Sequence, residues 1–314
     1  MRHSNPMDDF DFTKPQPDGS AAAPAAASAP YKAASSPFYD AKVAEALFRS
    51  AGREERFPAG GEIFAEDQAA KGGLFARKSA ARMYFVVSGE VALSIGGTAL
   101  DVMKPGDVFG EMAVISERPR SASAAARSDV VAFSLSGSEL QQALAQKPEF
   151  ALMIMSVMSD RLRFIAARLA ARRAALPASA REMSLFDKGL LADFEAALPR
   201  AATVRHWSGA NIMREGQSGA FMYVVKAGRV AISIRDHVVE YVNPGGTFGE
   251  MALVDQSSRT ASATAEVDTV LLQVDRPSLL EAVRARPAFG MALMRAIAER
   301  LRFMNSVLSA AGAP

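Results

Sequence analysis

The segment FGEMAVISERPRSASAAA at 109–126 decides how this chain is read, because it returns as FGEMALVDQSSRTASATA at 248–265. Two other segments return with it. MYFVVSGEVALSI at 83–95 recurs as MYVVKAGRVAISI at 222–234, and RLRF at 161–164 recurs at 300–303. The spacing is 139 residues in all three cases, and a gapless recurrence of that length marks a duplicated domain. Upstream the register changes. GGEIFAEDQ at 60–68 matches GANIMREGQ at 209–217 at a spacing of 149, so the first copy holds ten extra residues between Gln68 and Met83. They fall within AAKGGLFARKSAAR, whose glycine, alanine and basic residues predict an exposed loop between strands. A length of 314 residues at about 150 per domain agrees with two domains.

Each copy has the same order of elements. A helical segment comes first, PFYDAKVAEALFRSA at 37–51 and SLFDKGLLADFEAAL at 184–198. Short runs rich in Val, Ile, Phe and Tyr follow, divided by turns such as KPGD at 104–107 and NPGG at 243–246. A longer helix closes each copy, about Pro148 to Ala175 and Pro287 to Leu308, with proline at the start, where its missing N–H is harmless. The expected fold class is α+β, mainly β: two tandem β-rolls (jelly rolls) with flanking helices. The expected divisions are 1–36, 37–176 and 177–310. The first of these holds Pro15, Pro17, Asp18-Gly19 and AAAPAAASAP at 21–30, and is expected to be a disordered arm, with Phe10 and Phe12 among acidic residues as a candidate docking motif.

Composition narrows the function. Hydrophobic residues make up 49% and charged residues 22%, enough for a buried core in a soluble protein. A formal net charge of +2 argues against a broadly basic surface for nucleic acid or membrane. The absence of cysteine excludes disulfide scaffolds, thiolate metal sites and cysteine nucleophiles. His3, His206 and His237 are far apart, so no metal is expected. No uncharged apolar run of about 18 residues is present, and Met1 to Thr13 carries three Asp and two Phe, so no membrane span and a cytoplasmic location are expected.

The chemistry sits in the repeated segment. Gly110-Glu111-Met112-Ala113 follows a strand, its glycine lets the backbone approach a ligand, and the next residues read as a single helical turn with free N–H groups, an anion site. Arg120 comes nine residues after Glu111, followed by Ser121 and Ala122; Gly249, Glu250, Met251 and Ala252 are followed in the same way by Arg259, Thr260 and Ala261. An arginine fork binds two phosphate oxygens, and a hydroxyl and backbone N–H add donors. A glutamate would repel the phosphate but can accept a hydrogen bond from a sugar hydroxyl. The pocket therefore describes a nucleotide whose ribose and phosphate lie side by side. A Glu–Arg pair merely bridging strands would contribute ~0–1 kcal/mol at a surface, which gives no reason for two matching Gly-Glu turns.

At this point the sequence resembles the cyclic nucleotide-binding domain of catabolite activator proteins, cyclic-nucleotide-gated channels and cyclic-nucleotide-dependent kinases, over about residues 37–308. The family motif, FGE-[LIM]-A followed by R-[STA]-A, occurs twice. The resemblance implies Glu111 and Glu250 on the ribose 2′-OH and Arg120 and Arg259 on the cyclic phosphate. Backbone N–H groups near Gly110, Met112, Ala113 and Ala122, and near Gly249, Met251, Ala252 and Ala261, would complete the cradles. It implies a non-enzymatic receptor for cAMP, alternatively cGMP, that signals through an effector protein. The ligand assignment rests on the residue after each arginine: Thr260 fits cGMP-preferring relatives, whereas Ser121 also occurs in cAMP receptors.

Other residues are expected to be structural. Tyr84 and Tyr223 read as core, ALMIMSVM at 151–158 as a packing face, and His206 and His237 as surface or loop residues. Trp207 is expected to pack the start of the second β-roll, with capping of the first site as the alternative. In RLRFIAARLAARRAAL at 161–176, Leu162, Ile165 and Leu169 recur at helical spacing, so its arginines are expected on the wet face of a connecting helix. Arg172-Arg173-Ala174-Ala175-Leu176 is similar to the inhibitor sequence of kinase regulatory subunits, but lies between the copies rather than before them. A kinase-inhibiting regulatory subunit is therefore the second expectation, and a homodimer is an expected assembly. Transcription regulation needs a helix-turn-helix unit after the closing helix, where only Ala310 to Pro314 remain, so no direct DNA binding is expected. A cupin-like metalloenzyme lacks its histidines.

Overall fold

The duplication is carried by the backbone element for element. The computed structural model describes residues 39–67, 81–171, 181–198, 202–255 and 258–310. The N-terminal arm, most of the insertion and the Arg172–Leu176 segment lie outside the described residues. The first half runs α1 (Ala41–Ala51), β1 (Arg53–Phe57), β2 (Glu62–Phe64), β3 (Arg82–Ser88), β4 (Val91–Ile95), β5 (Thr98–Met103), β6 (Val108–Phe109), α2 (Glu111–Ser116), β7 (Ser123–Ala126), β8 (Val130–Ser136), α3 (Gly137–Gln146) and α4 (Glu149–Ala171). The second runs β9 (Arg181–Met183), α5 (Lys188–Ala197), β10 (Ala202–His206), β11 (Asn211–Met213), β12 (Phe221–Ala227), β13 (Val230–Ile234), β14 (His237–Val242), β15 (Thr247–Phe248), α6 (Glu250–Asp255), β16 (Ser262–Ala265), β17 (Thr269–Asp275), α7 (Arg276–Ala285) and α8 (Pro287–Ala310). From β3 to α3, every element returns 139 residues later as β12 to α7.

The sheets follow suit. In the first half the strand orders are β1-β8-β3-β6 and β2-β7-β4-β5; in the second they are β10-β17-β12-β15 and β11-β16-β13-β14-β9. The pairings are antiparallel apart from β9, which runs parallel to β14 at the sheet edge. Each β-roll has its own apolar interior. Tyr84 stacks between Phe64 and Phe109, at ring distances of 6.1 and 5.1 Å, and is buried as expected. Tyr223 stacks on Phe248 at 5.1 Å and is half-buried.

The helices start where the sequence supplies a cap. Asp40 accepts the N–H groups of Lys42 and Val43, Ser136 and Glu139 form a reciprocal capping box, and Asp275 accepts Ser278 N–H. The residues from Tyr39 onward belong to one compact unit, whose largest core cluster draws on both halves. Ala151 to Met158 are all buried, which is the packing face expected of the Met-rich segment. That face meets α8, where Phe289, Leu293, Met294 and Ile297 are buried in the same cluster. At about 1.5–3 kcal/mol for each large apolar side chain buried, the α4–α8 contact is a principal join between the halves. The packing also crosses over, with α8 lying against α2 and α4 against α6.

The structure corrects two expectations. Trp207 does not pack the second β-roll: it sits in the turn after β10 with 76% of its surface exposed, and it is absent from the wall of the first site's cavity. The tryptophan side chain points outward because the turn residues after β10 belong to neither sheet. Arg161 is not on a wet face either, for the reason given below. Of the two histidines expected at the surface, His237 is exposed at the start of β14, whereas His206 is half-buried at the end of β10.

Candidate functional site

Strand β6 delivers the chain to Gly110, which caps α2 in the left-handed region at φ +75°. A Cβ at this position would lie 3.0 Å from the Arg120 Nη1 and 3.2 Å from the Arg82 carbonyl oxygen. At Gly249, φ +78°, it would lie 2.7 Å from the Arg259 Nη1. Only glycine combines that backbone angle with that approach. The glycine therefore seats the arginine as well as turning the chain.

Arg120 donates from Nη1 to Gly110 O at 2.9 Å and from Nη2 to Arg82 O at 2.8 Å, and its guanidinium lies 3.9 Å over the Phe64 ring. Arg259 repeats the arrangement, donating to Gly249 O and Phe221 O, each at 2.7 Å. Both arginines are buried, at 7% and 6% exposure. Among the described residues neither forms an ion pair, and their partners are neutral carbonyls. Burial lowers the proton affinity of both guanidiniums, against the opposing influence of Tyr84 and Glu111 on Arg120 and of Tyr223 and Glu250 on Arg259. A guanidinium has five N–H donors, so each arginine keeps donors to spare. Two desolvated cations without bonded anions are sites where an anionic ligand is favoured.

Glu111 and Glu250 open α2 and α6 and are almost fully buried, at 2% exposure each. Their partners lie outside the repeated cassette, on the closing helices. Arg161 of α4 donates from Nη1 to Glu111 and from Nη2 to Val108 O at 2.8 Å. Arg300 of α8 donates from Nη1 to Glu250, from Nε to Glu240 at 3.0 Å and from Nη2 to Thr247 O at 2.6 Å. Burial works against the charge on Arg300, but Glu240 and Glu250 outweigh it and raise its pKa above the usual arginine value. Each closing helix is thus tied to the glutamate of its own half. The signal was present in the recurrence of RLRF, whose first residue is Arg161 in one copy and Arg300 in the other.

All seven first-copy residues singled out in the sequence, Gly110, Glu111, Met112, Ala113, Arg120, Ser121 and Ala122, line one cavity. Its wall is completed by Arg161, Phe164 and Ile165 of α4 and by Leu301 and Asn305 of α8, so the second half contributes to the first site. In the second copy, Met251 is largely buried beside Glu250, and Thr260 is exposed and donates weakly to Met251 Sδ at 3.7 Å, as Ser121 does to Met112 Sδ at 3.6 Å. Ala261 is buried in the second β-roll's core, and the Ala252 backbone lies in α6 with its side chain outside the described residues. Among the described residues no cluster of three or more His, Asp or Glu could hold a metal, and no helix is long and apolar enough to cross a membrane.

Against known families, residues 54–147 and 204–286 each match the cyclic nucleotide-binding domain, together more than half of the chain. The chain belongs to the cyclic nucleotide-binding domain family. It is a tandem member, with one match in each half. A CRP-like cAMP-activated global transcriptional regulator of Mycobacterium tuberculosis is 30% identical over 106 residues, 32% of this chain and 47% of the regulator. A cGMP-dependent protein kinase of Eimeria tenella is 26% identical over 212 residues, 67% of this chain and 19% of the kinase. Among solved structures, the regulatory domain of Toxoplasma gondii PKA with cAMP is 20% identical, with 79% of this chain and 89% of that chain covered and a TM-score of 0.29. The chain thus spans less than half the length of these two curated relatives.

The cyclic nucleotide-binding halves are also bound across their interface by charged groups. Arg302 of α8 donates to Ser116 Oγ at 3.2 Å and to Pro119 O at 2.8 Å, Arg295 donates to Ile115 O at 3.2 Å, and Arg118 pairs with Glu299 at 2.9 Å. These contacts grip the end of α2 and the turn that leads to Arg120.

Proposed function

We propose that the chain is a non-enzymatic receptor for cAMP, with cGMP as the alternative ligand, and that binding changes the arrangement of its two halves for an effector protein to read. The observation that carries this is the repeated pair of buried arginines, Arg120 and Arg259, whose partners are backbone carbonyls rather than carboxylates. In this proposal each guanidinium takes the cyclic phosphate, Glu111 and Glu250 accept the ribose 2′-OH, and the backbone N–H groups near Met112, Ala113, Ala122, Met251, Ala252 and Ala261 complete the cradles. The receptor comprises residues 37–176 and 177–310. A ribose hydroxyl arriving at Glu111 shares that carboxylate with Arg161, so occupancy and the position of α4 affect one another. The same holds for Glu250 and α8 through Arg300.

The test is titration of the protein with cAMP, cGMP and a cyclic dinucleotide, followed by melting temperature and calorimetric stoichiometry. Two sites for a cyclic mononucleotide are expected. Absence of stabilisation by all three would refute the receptor function.

A further inference from the structure

The two β-rolls differ by one strand. In the second half β9 lies parallel to β14 and closes the edge of its sheet, whereas among the described residues no strand pairs with the outer edge of β5, the counterpart of β14. We propose that this edge of β5 is a docking site for an extended, basic segment of a partner protein, which adds to the sheet parallel to β5 as β9 adds to β14.

The backbone donors of this edge are held in a way that a strand can exchange. At the end of β14 the Asn243 N–H donates to Met183 O of β9 at 2.9 Å. Its counterpart 139 residues earlier, Lys104, donates instead to Asp107 Oδ2 at 2.7 Å. The Val102 N–H, two residues before and on the same side of the strand, donates to Asp101 Oδ1 at 2.7 Å. Side-chain carboxylates thus hold the donors that a strand's carbonyls would take. In the second half neither has that duty: Asp107 is matched by Gly246, and Asp101 by Glu240, which accepts Arg300 Nε at 3.0 Å. Trading these bonds for those of an added strand replaces one N–H···O bond by another, so little is lost in the exchange.

The chain's own sequence offers no second β9. All three side chains of β9 fasten it: Glu182 accepts from Arg229 at 2.5 Å and from Asn243, Met183 is buried, and the Arg181 guanidinium lies 5.2 Å from the centre of the Phe303 ring. Counted back from the helix-capping aspartates Asp187 and Asp40, the residues at the matching place are Ala34-Ser35-Ser36, which lie outside the described residues and carry none of these groups. The residues that grip Glu182 have changed as well, Arg229 being matched by Glu90 and Asn243 by Lys104.

What the first half keeps is the receiving side for a cation. Arg181 stands opposite Glu240 in the register, and Glu240 supports its charge against burial. The counterparts of Glu240 and Phe303 are Asp101 and Phe164, a carboxylate and a ring again. Burial raises the pKa of both Asp101 and Asp107, an effect that their backbone N–H bonds and Arg161 oppose, so an arriving Arg or Lys relieves two disfavoured carboxylates. The fitting segment therefore sets a basic residue opposite Asp101 and an apolar one two positions on, where Met183 stands in the second half. Main-chain bonds supply the affinity of such strand addition, and alternate side chains supply its selectivity.

The probe is a peptide with the β9 sequence, ASAREMSLF of residues 178–186, added to the full chain and followed by amide hydrogen exchange and calorimetry. Slower exchange at Val102 and Lys104 is expected. The peptide carrying Arg181→Glu, which sets a like charge against Asp101, should bind about tenfold more weakly or worse. In the protein, Val102→Pro removes one edge donor and should abolish peptide binding, with melting temperature checking that the variant is folded. Equal binding of the Arg and Glu peptides, or unchanged exchange at both amides, would overturn the proposal. So would exchange at Val102 and Lys104 that is already as slow as at Tyr241 and Asn243 before any peptide is added. Independent of protein concentration, that result would assign the edge to the chain's own N-terminal arm; rising with concentration alongside a dimer in sedimentation, it would assign the edge to a second copy.

Discussion

Replacing Arg120 by alanine should separate binding from folding. The guanidinium makes two bonds to backbone carbonyls and lies 3.9 Å over Phe64. Charged hydrogen bonds of this kind contribute about 1.5–3 kcal/mol each, and the ring contact about 0.5–2 kcal/mol. Against these stands the cost of keeping a buried cation without an anion, several kcal/mol. The terms oppose one another, so the unliganded Arg120→Ala protein should melt within a few degrees of the wild type. Binding has no such compensation. Removing one member of a buried charge pair costs ~3–5 kcal/mol, which at ~1.4 kcal/mol per decade is roughly two to four decades of affinity at the first site. Calorimetry should therefore show one nucleotide site in Arg120→Ala, one in Arg259→Ala and none in the double variant, with little change in unliganded melting temperature. Two sites of wild-type affinity in either single variant would refute the assignment of the arginines.

The glycines give an independent check: Gly249→Ala puts a Cβ 2.7 Å from Arg259 Nη1 at positive φ, and should cost about 1–2 kcal/mol of backbone strain and weaken the second site, whereas Gly110→Ala, at 3.0 Å, should be milder. Denaturation and titration of both variants would show the order. Arg300→Ala leaves Glu240 and Glu250 buried without their cation, so a loss of ~3–5 kcal/mol is expected. Denaturant unfolding tests this, and wild-type stability in the variant would contradict it. Asp101 has a raised pKa caused first by burial, so the native wild type loses stability as pH rises above the unfolded Asp value; Arg161 and the Val102 N–H soften this and Asp107 adds to it. Asp101→Asn should accordingly be at least as stable as the wild type at pH 7, with the gain vanishing at about pH 4 and below, as thermal melts across that range would show.

Much of this was legible in the sequence, because duplication makes its own control. The cassette residues sit at fixed distances along one strand, one turn and one short helix, and local spacing is enough to bring Gly110, Glu111 and Arg120 together. What the sequence withheld was the contribution of remote elements. Arg161 lies 50 residues from Glu111, on a helix whose apolar spacing assigned its arginines to solvent, and helical periodicity alone does not say that the polar edge of a helix meets a buried carboxylate. Asn305 is further still, in the other half, and reaches the first cavity only because α8 crosses to α2. Trp207 failed for the opposite reason. A large aromatic beside a strand was expected inside, but one-residue expectations from hydrophobicity do not hold at a turn, where nothing fixes the side chain against a sheet.

The crossing of the helices has a consequence for how the two sites relate. Arg302 and Arg295 of α8 hold the end of α2 by bonds to Ser116, Pro119 and Ile115, while Arg300 on the same helix holds Glu250 of the second site. A shift of α8 on filling the second site must then strain or relax the turn that carries Arg120. Linkage requires the effect to be mutual: the factor by which ligand in the second site changes affinity at the first equals the factor in the other direction. Arg302→Ala removes the two bonds to the α2 end without touching either arginine of the cassettes, so it should bring that factor toward one while leaving two sites. Measured on the wild type, Arg302→Ala and the two single-site variants, the coupling should disappear with Arg302. A coupling factor of the same size in Arg302→Ala would mean that the apolar face between α4 and α8 carries the signal instead.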